Sequence, residues 1–555
     1  MANLLTGLLR RAGRLGELIH LARMARQVAG QARPAPALRP VIFFNASTRI
    51  SGLSQNAAFS LLTSWAVRLA GAPVIHFVCQ RGMSRCVLGT DESRPNQPMP
   101  CGMCIRQSRA NYTGAEARYF TDQRDEALAA ALEDLSLDEL LRYQHPLNTE
   151  NWSLDTDHWS LDTDLWSLVT DHLPLGALVL PSLRWRLRLQ TLGDDEPTRF
   201  LCREFILSAW NVAREFNALL EDVRPQAAVL FNGMHFPEAT AAWLCRQRGV
   251  RVITHESGFQ PFSGYFVAGQ VTAYPITIPD VELTPEQNAR LDADLQKRVQ
   301  GDFSMAGVKF WHEIHGLPDG LMQQAAAFKQ VTAVFTNVIF DTTQLHANVT
   351  FADMFAWLDA LLEVFRAHPE TLFVLRAHPD EARPGKASRE SVAMWVEQSG
   401  AAALPNVVFI PPQERISSYE LIRRSKLVLI YNSTIGLEAT LLGVPVLGAA
   451  RAPFTDYGTA LFEPERESYL WRLDAFLTAD RLEVPEEAVT RTRRFMYYRY
   501  YRFSLPFGAF IESSLPTGYV RLKKFSWRDL FPEKSPTLRA LLDGLFHGKR
   551  FELDV

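Results

Sequence analysis

Apolar residues along this chain fall into two kinds of pattern. Short unbroken runs of four to seven end in polar turns, and longer stretches carry apolar residues every three or four positions. Val41-Ile-Phe-Phe44 is the first short run; Leu53 to Leu69 carries helical spacing, and Pro73 to Cys79 is the next run. Helical spacing returns from Phe200 to Leu220, followed by Ala227-Ala-Val-Leu-Phe231, a helix from Pro237 to Arg248 closed by Gly249, and Arg251-Val-Ile-Thr254. After a polar crossover from Val281 to Gly320 the alternation resumes. Thr332-Ala-Val-Phe335, helix Phe351 to Ala367, Thr371 to Arg376, Val407 to Ile410, helix Ser418 to Arg424 and Leu427 to Ile430 lead to helix Thr434 to Leu442 and Pro445-Val-Leu-Gly448. Buried strands that alternate with amphipathic helices predict doubly wound parallel sheets, with ligand loops at their carboxyl edges. A chain of 555 residues exceeds one core. The expected division is a basic amphipathic helix and linker over 1–39, an α/β domain over 40–300, a second over 301–480, and a helical tail over 481–555.

The most informative turns lie in the second domain. Leu372-Phe-Val-Leu-Arg376 runs into His378-Pro379, and Val428-Leu-Ile-Tyr431 runs into Asn432-Ser433-Thr434, which opens a helix containing Gly436 and Glu438. Asn, Ser and Thr are good N-cap residues, and a helix start offers free N–H groups and a positive dipole end to a phosphate. Glu438, one turn in, suits ribose hydroxyls; His378 adds a contact, and Arg376 suits leaving-group charge. This reads as a nucleotide-sugar site. In the first domain the run ending at Thr254 continues as His255-Glu-Ser-Gly258, where Glu256 or His255 is placed to take a proton from an acceptor hydroxyl. Capping and structural roles are the competing readings for both residues.

Cys79, Cys86, Cys101 and Cys104 cluster in sequence, the last two as Cys-Gly-Met-Cys. Two thiolate pairs make a tetrahedral zinc site, although the first pair is wider than usual; reduced thiols or a redox pair fit the same spacing. Trp152 to His172 is a three-fold heptad repeat, read as a surface insertion within 145–175; its Asp-Thr-Asp triplets are set aside as by-products of duplication. Apolar residues make up 47% and charged residues 21%, as in ordinary globular enzymes, and the net charge of −3 argues against nucleic-acid binding. Residues 1–32 set five arginines among Leu, Ile and Met without a signal-peptide core, so the helix is expected on an anionic membrane surface or packed on the domain. The expected location is cytoplasmic, including the inner face of the cell membrane. Arg491 to Phe507 interleaves arginines with aromatic residues, which suits base stacking, a membrane interface or a helix packed back across the domains.

The Cys79–Cys104 cluster, the His378-Pro379 turn, Ser433-Thr434 with Gly436 and Glu438, and the Tyr497–Pro506 tail together resemble bacterial capsule and surface-polysaccharide proteins of GT-B glycosyltransferase architecture, over most of 40–510. The His-Pro and Ser-Thr pairs look like those of transferases using CMP-activated Kdo or sialic acid, and Glu438 looks like the ribose-binding glutamate of UDP- or GDP-sugar enzymes. The resemblance implies two Rossmann-like domains facing across a cleft, a nucleotide-sugar donor, a saccharide or glycolipid acceptor, and transfer that requires no metal. A polyol-phosphate transferase, a nucleotide-sugar epimerase and a non-catalytic assembly protein share the plan.

Overall fold

The computed structural model describes residues 2–46, 50–147, 171–273, 276–300, 315–341, 344–383, 385, 387–515 and 518–554, with the side chains of 2–12 and 273 left aside. The first sheet contains β1 (Val41–Asn45), β2 (Val74–Cys79), β3 (Glu116–Phe120), β4 (Ala227–Phe231), β5 (Arg251–Ser257) and β6 (Ser263–Ala268). The second contains β7 (Gln330–Phe335), β8 (Thr371–Arg376), β9 (Val407–Ile410), β10 (Leu427–Ile430), β11 (Val446–Gly448) and β12 (Leu461–Phe462). A two-residue strand from the tail, β13 (Leu505–Pro506), completes the first sheet.

Strand order is β13-β6-β5-β4-β1-β2-β3 in the first sheet and β9-β8-β7-β10-β11-β12 in the second. In each, the earliest strand lies inside and later strands are added first on one side, then on the other. The chain therefore reverses direction between β1 and β4, and again between β7 and β10. Such reversal points open a crevice beyond the carboxyl ends of the strands. Both faces of each sheet are covered, which is why the strands read as unbroken apolar runs. Val41 and Phe43 enter one core while Ile42 and Phe44 enter another; Leu372 and Val374 are likewise separated from Phe373 and Leu375. The α/β class with two doubly wound sheets is the one expected.

Three differences from the sequence reading concern the site or its supports. First, β5 continues through His255, Glu256 and Ser257, because β6 returns antiparallel to it and pairs His255 with Phe266 and Glu256 with Tyr265. Second, Leu53–Ser54 is a short strand, so the following helix begins at Gln55. Third, the tail is not all helical. After the helix Glu486–Tyr497 it contributes β13 to the edge of the first sheet, then the hairpin Ile511–Ser514 and Tyr519–Leu522, whose second strand pairs with Leu53–Ser54. The final helix Pro536–His547 shares a core with Gln55–Leu69.

The aromatic–arginine stretch packs back across the domains. Phe495, Met496, Tyr497, Tyr498, Tyr500, Tyr501 and Phe503 are buried together with Leu291 and Leu437. Arg493 bonds Asn288 Oδ1 and Asp292 Oδ1, both at 2.7 Å, and Arg494 pairs with Asp280. The first helix, Ala2–Gln31, buries Leu21, Met24, Ala25 and Val28 against the first domain. Among the described residues no helix is long and apolar enough to cross a membrane. Residues 152–170 of the tryptophan repeat lie outside the described residues; its flanks meet where Pro146 pairs with His172.

Candidate active site

The second sheet places His378 beyond β8 and Ser433 beyond β10, with β7 hydrogen-bonded between those strands. Two inter-strand steps separate them, about 10 Å at the strand ends. Between them lies the extension of β7, where Asn337 Oδ1 accepts the Asn432 N–H at 3.5 Å. Neither Asn337 nor its neighbour Asp341 stood out in the sequence.

His378 is anchored by its own turn. Its Nδ1 accepts the Asp380 N–H at 3.1 Å, and Pro379 opens the 3-10 turn Pro379–Ala382. With Nδ1 accepting, the neutral ring carries its proton on Nε2 and presents a donor. Burial holds His378 below the usual histidine range; nearby Asp380 and Asp341 pull it up, and Arg376 pushes it down again. Arg376, the last residue of β8, is 7% exposed, and its Nη1 has no hydrogen-bond partner. Burial lowers Arg376 to about 10, opposed by Glu414, so the guanidinium stays charged at neutral pH and lacks an anion at that nitrogen.

The helix near Ser433 differs from expectation. It spans Ile435–Leu441, and Thr434 precedes it in right-handed helical geometry without a side-chain cap bond. Ser433 Oγ accepts the Ile435 N–H at 3.5 Å. Gly436 faces the sheet and not the cleft, since a Cβ there would lie 2.6 Å from Ile430 Cδ1; its smallness lets the helix close on β10. Glu438 is already engaged. Its Oε1 pairs with Arg298 Nη1 at 3.4 Å, and its Oε2 accepts the Tyr419 hydroxyl at 3.1 Å. Burial raises this carboxyl, while Arg298 and Tyr419 lower it.

In the first sheet Glu256 closes β5. Asn56 Nδ2 donates to Oε1 at 2.8 Å, the Ser257 N–H to Oε1 at 2.8 Å, and Asn232 Nδ2 to Oε2 at 3.2 Å. Asn56 comes from the first turn of Gln55–Leu69 and Asn232 from the residue after β4, so the carboxylate is held at the reversal point of its sheet. Of about four lone-pair directions on a carboxylate, three are occupied and one is open. Burial raises the Glu256 carboxyl, the three donors oppose this, and the charge of Asp341 raises it further. His255, on the opposite face of the strand, leaves the catalytic pair. It is 2% exposed, packs on Phe266 with ring centroids 5.2 Å apart, and burial lowers it to about 3. It is a buried, neutral residue packed against Phe266.

The two halves meet at Asp341, whose charge reaches both Glu256 of the first sheet and His378 of the second. Gln270 Oε1 and His346 Nε2 are 3.0 Å apart across the same gap. The carboxyl edges of the sheets therefore face each other, the GT-B arrangement that the resemblance implied. On one flank Glu390 accepts the Gln190 and Thr191 N–H groups at 2.8 Å each, and Arg188 stacks on Trp185 and Phe340 at 4.2 and 4.8 Å.

Cys79, Cys86, Cys101 and Cys104 line one cavity of about 40 Å³, away from Glu256 and His378. Burial pushes the thiols of Cys79 and Cys86 up to about 12, which is not the environment of a reactive thiolate. Among the described residues, no three or more His, Cys, Asp or Glu side chains are gathered closely enough in this structure to hold a metal ion.

Among solved structures, the chain is similar to the KpsC β-Kdo 2,4 transferase of Thermosulfurimonas dismutans, with 13% identity over 54% of this chain and 84% of that one and a TM-score of 0.32. It is also similar to the Neisseria meningitidis UDP-GlcNAc 2-epimerase bound to UDP-GlcNAc (12%, 83% and 98%, TM-score 0.22) and to apo OtsA (14%, 83% and 94%, TM-score 0.30). No curated protein matches the chain. Residues 315–462, which contain β7 to β12 and with them Asn337, Arg376, His378, Ser433 and Glu438, match the family model for capsule polysaccharide biosynthesis protein.

Proposed function

We propose that this protein is a glycosyltransferase of surface-polysaccharide assembly, which moves a sugar from a nucleotide-activated donor to a saccharide or glycolipid acceptor. What supports the reading is that Glu256 stands at the reversal point of the first sheet and His378 beyond β8 of the second, with the charge of Asp341 acting on both. The donor phosphate lies on the second sheet, between the His378 turn and Asn432-Ser433, with Arg376 supplying charge. The acceptor hydroxyl lies on the first sheet at the open lone pair of Glu256.

In the transfer step the acceptor oxygen forms a bond to the anomeric carbon as its proton passes to Glu256. The bond from that carbon to the phosphate oxygen breaks, and its electron pair leaves with the phosphate. The Arg376 guanidinium and the Nε2–H of His378 meet the charge that develops there; donors fixed in place before reaction are the usual source of such stabilisation. Closure of the two sheets excludes water and limits donor hydrolysis.

Thermal-shift titrations with CMP, CDP, UDP and GDP test the donor side, and sugar transfer to a polysaccharide or lipid-linked acceptor tests the chemistry. Stabilisation by one nucleotide and transfer from its sugar conjugate are expected. Four silent nucleotides would overturn the reading, and interconversion of donor incubated alone would replace transfer with epimerisation.

The pH profile makes a second test. Glu256 acts as a base only when ionised, and its carboxyl lies above the ordinary glutamate range. The acidic limb of kcat/KM is therefore expected above about pH 4.3, the unperturbed value, with activity lost as pH falls through it. Asp341→Asn removes a charge that raises Glu256 and is expected to move this limb to lower pH. An unmoved limb would show that another group sets the profile.

A further inference from the structure

We infer that Cys79, Cys86, Cys101 and Cys104 form a tetrahedral tetrathiolate site for a single zinc ion, which braces the acceptor side of the first domain. The zinc site itself does not depend on the transferase reading; its role at the acceptor side does. Its basis is the way three local turns deliver four sulfurs to one cavity.

Two of the turns have the same form. Cys79-Gln-Arg-Gly82 leaves the end of β2, and the Gly82 N–H donates to Cys79 Sγ at 3.2 Å; Cys86-Val-Leu-Gly89 repeats this, with the Gly89 N–H on Cys86 Sγ at 3.2 Å. Both glycines are required by space. A Cβ on Gly82 would run into the Phe120 ring, and one on Gly89 would stand 3.0 Å from Cys86 Sγ. Arg81 takes the left-handed φ of 60° that brings the first turn round. A thiol sulfur is a weak acceptor and a thiolate a much better one, so two backbone N–H groups fixed on sulfur favour the ionised, metal-bound form. The third turn is Cys101-Gly-Met-Cys104, the first turn of the eleven-residue helix Cys101–Asn111, which has no side-chain cap. CxxC at a helix start is the usual second half of a structural zinc site.

Charge and volume agree. Zn²⁺ binding to four thiols releases four protons and leaves a core of charge −2. Arg81 lines the cavity, and Arg186 lies close enough to Cys86 to feel its charge. A void of about 40 Å³ admits one ion, whereas a water needs roughly 10–15 Å³ on this measure. In this structure the four sulfurs line the void without being gathered closely enough to hold an ion; binding requires them to close on one point.

From the same helix, Gln107 Oε1 accepts the Gly52 N–H at 3.0 Å. Ser54, two residues on, caps Gln55–Leu69 through the Ala57 N–H at 3.1 Å, and that helix provides Asn56 to Glu256. A metal that fixes Cys101 and Cys104 thus fixes the start of the helix that holds the base.

Elemental analysis of the full chain, purified without a histidine tag or chelator, is expected to give about one zinc per chain, the stoichiometry of a Cys₄ site. Cys101→Ser/Cys104→Ser is expected to bring this close to zero, whereas Cys202→Ser, in the buried core elsewhere, retains it. If the double variant does not fold, Co²⁺ exchange into the wild type decides, through the sulfur-to-metal and d–d absorption of tetrahedral thiolate cobalt. Folded protein that holds no zinc, takes up no Co²⁺ and yields Cys79, Cys86, Cys101 and Cys104 to a thiol reagent would overturn the site. A Cys101–Cys104 disulfide, or the visible absorption of an iron–sulfur cluster, would do the same.

Discussion

Glu256→Gln is expected to lower kcat by about 10²- to 10⁴-fold, the usual contribution of a positioned general base, with little change in donor affinity. The substitution keeps the shape of the side chain and most of its bonds. Asn56 and the Ser257 N–H both donate to Oε1, so the Gln carbonyl can occupy that place. Its NH₂ then meets Asn232 Nδ2, a donor facing a donor, because the Asn232 carbonyl is fixed by the Met234 N–H at 3.0 Å. One lost bond of this kind costs about 1 kcal/mol, too little to unfold the chain and too little to explain a large fall in turnover. What is lost is the ability to take a proton. Single-turnover rates with saturating donor, beside a nucleotide-binding curve, check the result. A variant with wild-type turnover would move the base elsewhere. Asn56→Ala makes a useful companion. It leaves the carboxylate in place with only the Ser257 N–H on Oε1, so a smaller fall in kcat is expected, together with a shift of the acidic limb to higher pH, since the Asn56 bond lowers Glu256.

The residues that carry this argument differed in how plainly the sequence announced them. Strands such as Leu372–Arg376 and Leu427–Ile430 were legible because both faces are buried, and their polar followers marked the cleft edge. His378, Asn432 and Ser433 were singled out for that reason, and the structure sets them beyond the ends of those strands. Glu256 was singled out as well, but its place on β5 was not legible, because the strand is extended by its antiparallel pairing with β6. The same holds for His255, whose burial is set by Phe266 across the ladder. Gly436 and Glu438 were read as ligand contacts from the family resemblance and, for Glu438, from its place one turn into the helix; in the structure Gly436 packs on the sheet and Glu438 bonds Arg298 and Tyr419, and no local pattern revealed either. Asn56, Asn337 and Asp341 were passed over. Yet a signal existed: Asn45, Asn232, Asn337 and Asn432 each end or soon follow one of the four strands flanking the two reversal points. Four asparagines at that recurrent place mark where polar side chains must meet backbone and ligand at a sheet edge. The β13 edge and the tail hairpin stayed hidden, since strands of two to four residues leave almost no periodicity.

Arg298→Met is expected to destabilise the protein by about 3–5 kcal/mol, because it strips a counter-charge from a buried carboxylate. Arg298 and Glu438 keep only 15% and 11% of their side chains exposed, so solvent screens the pair little. Arg298 also stacks on Tyr500 at 4.7 Å, which joins the helix Pro285–Val299 and the tail to the helix that follows Ser433. In the variant Glu438 keeps only the Tyr419 hydroxyl and has its folded pKa raised further above its unfolded one. A carboxyl of that kind takes up a proton on folding, so its destabilising effect is largest above the raised value and shrinks as pH falls through it toward the unfolded one. Urea unfolding of wild type and variant at pH 7.5 and pH 5 should show the gap narrowing in acid. Arg298→Met/Glu438→Leu removes both charges and is expected to recover most of the loss, as matched apolar replacements of buried pairs generally do. Equal stability of wild type and Arg298→Met at both pH values would mean that the pair is solvated, and Glu438 would then be open to a ribose after all. If the expected pattern holds, Glu438 serves the donor by holding the helix Ile435–Leu441 in place. The folded fraction of the double variant should then bind nucleotide far better than a direct ribose contact through Glu438 would allow.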